Sequence, residues 1–226
     1  MTSEKVCEFY IVIDLSGSMS PYLQALDNAV RSMINTFIDD PFTSDYCRVS
    51  LIGFGTNAKT LIPLCDLGKL ETVPSFQTMG GTSYAAAFNE VFSRIQDDLR
   101  ELRENKISFT RPNIFFLTDG SPTDNEYEWK EALERLRIPQ WRPNLLVFGF
   151  GSALNNTISA IASREDYAFI ASDSSNLNQL LSNLIPQLTQ SIMQSGYSIA
   201  NGTDAEFQCP PGFISLKLDE LENVDP

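Results

Sequence analysis

Histidine is missing from the sequence, and its absence excludes several kinds of active site. Ser-His-Asp and Cys-His catalysis, phosphohistidine transfer and histidine-based zinc sites all need an imidazole. The four cysteines, Cys7, Cys47, Cys65 and Cys209, form no CxxC pair, so neither a four-cysteine zinc site nor a thioredoxin-type redox motif is indicated. We expect these cysteines to be buried free thiols.

Basic residues are scarce. Sixteen Lys and Arg residues stand against 29 Asp and Glu residues, which gives a formal net charge of −13. Because nucleic acids and anionic lipids are bound largely through Lys and Arg, we expect neither a nucleic acid nor a membrane as a partner. An acidic surface does concentrate cations, so the composition is compatible with a metal site.

Long apolar runs are also absent. No segment approaches the ~20 apolar residues that cross a bilayer. The N-terminal stretch contains an unbroken apolar run of only five residues, FYIVI, and no small-residue cleavage site. We therefore expect a cytoplasmic protein without an export signal or a membrane anchor.

Apolar strands alternate with amphipathic helices along the 226 residues. Strands are predicted at residues 9–13, 47–54, 58–64, 113–117, 144–150 and 167–171. Helical periodicity fills most of the intervals, and a final helix is predicted over residues 177–193. This order predicts a Rossmann-like, doubly wound α/β fold. Its six-stranded sheet is mostly parallel, with helices on both faces and residues 58–64 as an antiparallel edge strand.

The regular pattern ends near Gly196, where glycines and prolines become frequent. We therefore assign residues 1–195 to the domain and residues 196–226 to a C-terminal tail or small appendage. Within that tail, FISLKL predicts one short strand, and DELENVDP is an acidic end. Whether this end reaches its own metal site or that of a neighbouring copy is left open; the acidic residues concerned are Asp219, Glu220, Glu222 and Asp225.

Oxygen-bearing side chains follow the ends of two predicted strands. Asp14 ends the first strand, Ser16 and Ser18 come directly after it, and Asp119 follows the NIFFL strand. Thr82 lies at the start of the helix between them. Ligands of doubly wound sheets bind beyond the carboxyl ends of the strands, and carboxylate and hydroxyl oxygens favour hard cations. These five residues therefore predict a site for Mg²⁺, with Mn²⁺ or Ca²⁺ as alternatives.

Each piece of this site also has a purely structural interpretation. Side chains of these types are common in turns and at helix N-caps. The residues concerned are Asp14 and Ser16, Thr82 or Ser83, and Thr123 or Asp124. Their coincidence at neighbouring strand ends favours the metal site, and capping is compatible with metal binding.

The segments DLSGS, GGT and TDG, in this order, resemble the metal-ion-dependent adhesion site of von Willebrand A-type domains. The resemblance covers residues 6–195, and all five positions of the family pattern hold matching residue types. It implies that the hydroxyls of Ser16 and Ser18 bind the metal, that Thr82 binds it directly in the ligand-bound form, and that the two carboxylates act through bridging waters. It also implies an open metal position for an Asp or Glu of a partner protein, and hence a binding module that is not an enzyme.

A narrower similarity concerns the bacterial intracellular proteins of the tellurite-resistance TerY type. It is carried by DDPFTSD, IPLCDL, GGTSYAAAF and RPNIFFLTDGSPTD. This similarity implies a place in a bacterial stress-resistance or defence assembly. It indicates neither the identity of the partner nor the oligomeric state.

The alternative function is a metal-dependent phosphatase or hydrolase that uses Asp14 or Asp119. DLSGS can be compared with a phosphatase nucleophile loop, but Ser16 stands where a DxD phosphotransfer motif has its second Asp. Without histidine or a second carboxylate close to Asp14, a general base is hard to nominate.

Overall fold

The computed structural model describes residues 5–173, 176–201 and 207–217. These residues form one mixed sheet with helices on both faces. The strands are β1 (Lys5–Asp14), β2 (Cys47–Phe54), β3 (Ala58–Cys65), β4 (Ser108–Phe109), β5 (Asn113–Thr118), β6 (Asn144–Gly149), β7 (Ala168–Ala171) and β8 (Phe213–Ser215). The α-helices are α1 (Leu23–Asp39), α2 (Pro41–Tyr46), α3 (Tyr84–Glu104), α4 (Glu126–Arg137), α5 (Asn155–Ile161) and α6 (Leu177–Ala200).

Strand β1 lies at the centre of the sheet, and every residue after Lys5 is buried. Its apolar sequence is typical of a parallel strand that is covered on both faces. The strand order is β3-β2-β1-β5-β6-β7-β8, with β4 beside the start of β1. Because the chain continues from β1 to one side and from β5 to the other, the order reverses between these two strands. Beyond the carboxyl ends of β1 and β5 there is consequently a crevice.

The two faces of the sheet are covered by different helices. On one face, the hydroxyl of Tyr10 donates to Asp98 of α3 at 3.1 Å. On the other face, the thiol of Cys47 donates to the main-chain oxygen of Ile192 in α6 at 3.4 Å. Helix α4 packs beside α3, and α1 packs beside α6. The predicted doubly wound α/β fold is therefore confirmed, together with β3 as an antiparallel edge strand.

The sheet of the described residues has two strands more than the six that were predicted. Strand β4 has only two residues, and β8 has three residues in a segment rich in proline and glycine. Strand β4 is too short to show a readable alternation, whereas β8 confirms the short strand predicted in FISLKL. Strand β8 pairs antiparallel with β7, so both edges of the sheet are antiparallel. Helix α6 extends beyond the domain boundary proposed at residue 195, and β8 belongs to the same sheet.

Pro41 separates two helices. Helix α1 ends at Asp39, before this proline. The six-residue helix α2, which the sequence did not predict, begins at Pro41 itself. A proline suits the first turn of a helix because the N–H that it lacks has no partner there.

The cysteines differ in burial, whereas all four were predicted to be buried. Cys7 and Cys47 are buried on neighbouring strands, with their Sγ atoms 3.4 Å apart. Cys65 is half-buried, and Cys209 is exposed because it lies on the segment that follows α6. Within the described residues, no helix is both long enough and apolar enough to cross a bilayer.

Glu8 is an acidic residue in the middle of β1. It is completely buried, and neither carboxyl oxygen has a hydrogen-bond partner among the described residues. Burial raises the pKa of Glu8 well above its usual range, and the charge of its strand neighbour Arg48 only partly opposes this. A carboxyl group with a raised pKa in the folded state contributes most stability below its unfolded-state pKa of about 4.3. That contribution is lost as the pH rises through the folded-state value.

We expect Glu8→Gln to remove this pH dependence, because the amide keeps the shape of the protonated acid and does not ionise. The variant should melt at a higher temperature than wild type at pH 8, and the difference should shrink toward pH 5. The measurement is thermal unfolding at both pH values. Glu131→Gln, on an exposed helix position, is the control and should change nothing. An equal difference at both pH values would contradict the prediction.

Candidate metal site

The main chain ties the loop after β1 to the loop before α3. The N–H of Met79 donates to the oxygen of Leu15 at 2.6 Å, and the N–H of Gly17 donates to the oxygen of Gly80 at 2.8 Å. Gly80 has a φ of 86°, and a Cβ there would stand 2.4 Å from the hydroxyl oxygen of Thr56. Only glycine suits that conformation and that space. These contacts bring the DLSGS and GGT segments together.

Thr82 is held against the loop that follows β5. Its oxygen accepts from the N–H of Thr123 at 2.8 Å, and its own N–H donates to the hydroxyl of Thr123 at 3.1 Å. A Cβ at Gly120 would stand 3.9 Å from the hydroxyl oxygen of Thr82. The Thr82 hydroxyl therefore lies close to the residue that follows Asp119.

The other four predicted site residues form a run of hydrogen bonds from the end of β1 to the end of β5. The N–H of Ser16 donates to Asp14 Oδ1 at 2.9 Å. The Ser16 and Ser18 hydroxyls lie 3.0 Å apart, and Ser18 Oγ donates to Asp119 Oδ1 at 3.0 Å. The structure thus brings these four side chains together directly, with Thr82 beside them.

Burial shapes the electrostatics of the two carboxyl groups. Asp14 is completely buried and Asp119 is 5% exposed. Burial raises the pKa of both, and the nearby charge of Asp119 raises the pKa of Asp14 further. Among the described residues, no Lys or Arg forms an ion pair with either. A cation at this position would relieve the cost of ionising two buried acids.

The donor set fits a hard divalent cation. It consists only of oxygen, with three hydroxyls and two carboxylates, and no thiol takes part in it. In the part of the chain that the structure describes, no group of three or more Cys, Asp or Glu side chains is placed to hold a metal. Metal binding at this position would therefore depend on the hydroxyls.

Asp14 and Ser16 differ in whether they have the turn or capping role that the sequence also allowed. Asp14 does form a turn, because its Oδ1 accepts from the Ser16 N–H. Ser16 occupies the N-cap of a short 3-10 turn, Gly17–Tyr22, but its hydroxyl makes no capping bond. The Ser16 hydroxyl contacts Ser18 instead, and this contact is the one expected of a ligand cluster.

Two of the other capping candidates act on a single helix. Ser83 accepts from the N–H three residues on and caps α3. Asp124 accepts from a second N–H in the first turn of α3 at 2.7 Å and also binds the Ser83 hydroxyl. The prediction that Thr123 or Asp124 caps the following helix is wrong, because Asn125 caps α4.

Thr118 and Tyr84 support the site, and sequence reasoning assigned neither. The hydroxyl of Thr118 donates to Asp14 Oδ2 at 2.8 Å, and the hydroxyl of Tyr84 donates to Thr118 at 3.1 Å. The Tyr84 hydroxyl oxygen also lies 2.8 Å from the main-chain oxygen of Gly120, so its one proton has two acceptors within reach. Both residues are completely buried. The only sequence signal is their position inside the TDG and GGTSY segments.

A family comparison agrees with this architecture. The family model for the von Willebrand factor type A domain matches residues 8–183. The chain belongs to this family. The match includes both strands that flank the crevice and all five predicted metal ligands. None of the curated proteins matches the chain by sequence.

Several solved structures share the fold of this von Willebrand A-type domain. The pilus adhesin SpaC from Lactobacillus rhamnosus GG is 16% identical, with a TM-score of 0.65 over 84% of this chain and 30% of that one. The vWF domain of the type V pili tip protein Mfa5 from Porphyromonas gingivalis is 9% identical, with a TM-score of 0.58 over 85% and 97%. Proximal thread matrix protein 1 from the mussel byssus, with a zinc-occupied MIDAS motif, is 15% identical, with a TM-score of 0.51 over 82% and 46%.

We expect Thr118→Val to weaken divalent-metal binding by about 10–100-fold, because Asp14 loses the hydroxyl that orients it. The measurement is a calorimetric titration with MgCl₂. Thr189→Val is the matched control, since Thr189 is also buried but bonds only within α6. Equal metal affinity in both variants would show that Thr118 does not position the carboxylate.

Proposed function

We propose that this domain is a metal-dependent protein-binding module and not an enzyme. Asp14, Ser16, Ser18, Thr82 and Asp119 would hold one divalent cation, and an Asp or Glu of a partner protein would complete its coordination. The observation that carries the proposal is the hydrogen-bonded run from Asp14 to Asp119, with Thr82 beside it, at the point where the strand order reverses.

The donor set supports Mg²⁺, with Mn²⁺ or Ca²⁺ as alternatives. When bound, the cation would supply an electrophilic position for a carboxylate, because neutral hydroxyls leave much of its charge uncompensated. Because the chain has a net charge of −13, a carboxylate of a partner would need this positive position in order to bind. Without a cation, an acidic segment of a partner would meet an acidic protein and be repelled.

The family and its structural relatives favour protein binding. Two of the similar structures are, by their printed descriptions, a pilus adhesin and a pili tip protein, and a third has zinc in its MIDAS motif. The IPLCDL and GGTSYAAAF segments further support a role in a bacterial stress-resistance or defence assembly, such as tellurite resistance. A cytoplasmic location stays a prediction.

Hydrolysis is the weaker proposal because both carboxylates already accept hydrogen bonds from neighbouring residues. Asp14 accepts from Ser16 and Thr118, and Asp119 accepts from Ser18. The chain has no histidine to act as a base. We expect no turnover of p-nitrophenyl phosphate with Mg²⁺. Turnover that Asp119→Asn abolishes would instead support a phosphatase.

We expect MgCl₂ to raise the melting temperature of wild type and of Ser20→Ala, but not of Ser18→Ala. Ser18 belongs to the hydrogen-bonded run, whereas Ser20 is an exposed serine of the same loop outside the ligand pattern. Thermal unfolding with MgCl₂ and with EDTA provides the measurement. Stabilisation of all three proteins, or of none, would contradict the site.

We expect a partner captured from native lysate on immobilised wild-type protein to require Mg²⁺. Ser20→Ala should retain that partner, whereas EDTA and Ser18→Ala should release it. A Glu-containing competitor peptide should displace the partner, and its Gln counterpart should not. Capture that survives EDTA would argue against a metal-bridged carboxylate.

A further inference from the structure

Two neighbouring cavities open at the edge of the sheet where β5, β6 and β7 begin, opposite the metal site. Their volumes are about 420 Å³ and 490 Å³, and both are lined by Arg111, Asn144 and Arg164. Neither lining contains an Asp or a Glu. We call the basic residues of the two linings the arginine edge: Lys5, Arg111, Arg137, Arg142 and Arg164.

The arginine edge is unusual in a chain with 29 acidic and 16 basic residues. Arg164 and Arg137 each pair with an acidic residue near them in sequence, at 2.6 Å and 2.8 Å. Arg111 and Arg142 are exposed and form no ion pair within the described residues. Two guanidinium groups are thus available to a carboxylate-rich ligand.

The last strand, β8, ends beside the arginine edge. Because β8 runs antiparallel to β7, the N–H of Leu216 donates to the oxygen of Ala168, the first residue of β7, at 2.8 Å. The chain therefore leaves the sheet beside Tyr167, whose ring lies 4.7 Å from the guanidinium of Arg164. The following segment, LDELENVDP at residues 218–226, lies outside the described residues. It contains four acidic residues and no basic one.

We propose that the arginine edge is a binding site for an acidic peptide segment, and that its resident occupant is residues 218–226 of the same chain. Nine residues span up to about 30 Å when extended. Neighbouring strands lie about 4.8 Å apart, and Arg142 and Arg111 precede β6 and β5, the next two strands beyond β7. The segment is therefore long enough to reach both arginines.

Tethering favours this occupant. A segment linked directly to β8 has an effective concentration in the millimolar range, far above that of a free partner. Another acidic ligand would have to compete with this segment for the same arginines. In this arrangement the acidic residues of the tail would act at the edge opposite the predicted metal ligands.

The test uses the full-length chain with a neutral tail, in which each acid becomes its amide. The substitutions are Asp219→Asn, Glu220→Gln, Glu222→Gln and Asp225→Asn. The probe is a fluorescent LDELENVDP peptide, followed by anisotropy at low salt. We expect the neutral-tail protein to bind the peptide at least tenfold more tightly than wild type, because its own tail no longer competes. Equal affinity for the two proteins, or no binding by either, would overturn the proposal.

Arginine variants test the site in the neutral-tail protein. Arg111→Glu with Arg142→Glu should abolish peptide binding and leave the melting temperature unchanged, because neither side chain has a structural ion pair. Arg31→Glu with Arg100→Glu makes the same charge change at exposed positions on α1 and α3 and should retain binding. If both double variants lost peptide binding equally, the effect would be one of net charge, and the proposed site would be rejected.

The wild-type tail can be followed directly by limited proteolysis after Glu220 and Glu222. We expect cleavage to become several-fold faster in Arg111→Glu with Arg142→Glu, and faster in wild type at high salt. An unchanged rate would show that the tail does not occupy the arginine edge. Dimers of wild type that disappear in the neutral-tail protein would assign the tail to a second copy and overturn the occupant within one chain.

Discussion

The parallel pairing of β1 with β5 is the constraint on which the candidate metal site depends. Ile13 lies opposite Leu117, so Asp14 and Thr118 end the two strands side by side. The 2.8 Å bond from Thr118 to Asp14 spans 104 positions of sequence and exists only in this register. A shift of one residue in this pairing would move Thr118 away from Asp14 and turn packed side chains to the other face of the sheet. The core therefore fixes the geometry of the site.

The cost of ionising two buried carboxyl groups distinguishes the candidate site from an ordinary pair of turns. Two carboxyl groups lie at the end of the buried sheet with raised pKa values, and hydroxyl groups supply much of their hydrogen bonding. Tyr84 extends that network to the start of α3. An arrangement of this kind disfavours ionisation when it is alone and favours a bound cation. The oxygen atoms of the candidate site are thus held in place by the same contacts that pack the strands and helices together.

The two ends of the parallel strands carry side chains of opposite charge. Acidic and hydroxyl side chains gather at the carboxyl ends of the strands, and the arginine edge lies at their amino ends. The last strand, β8, runs antiparallel to β7, so the described chain ends beside the basic edge. In a chain with a net charge of −13, the two proposed interactions would therefore take place at opposite ends of the strands.

Local patterns in the sequence determined the α/β class, the antiparallel edge strand β3 and the five candidate ligands. An apolar run followed by DLSGS, GGT or TDG can be read without knowing any distant contact. Only the tertiary structure decided which side chains support those ligands, that Asp124 caps α3, and that β4 and β8 extend the sheet. It also gathered five basic residues from separate elements into one edge. Each of these features depends on strand register or on contacts between residues far apart in sequence. Register and long-range contacts leave no periodic pattern in the amino-acid sequence.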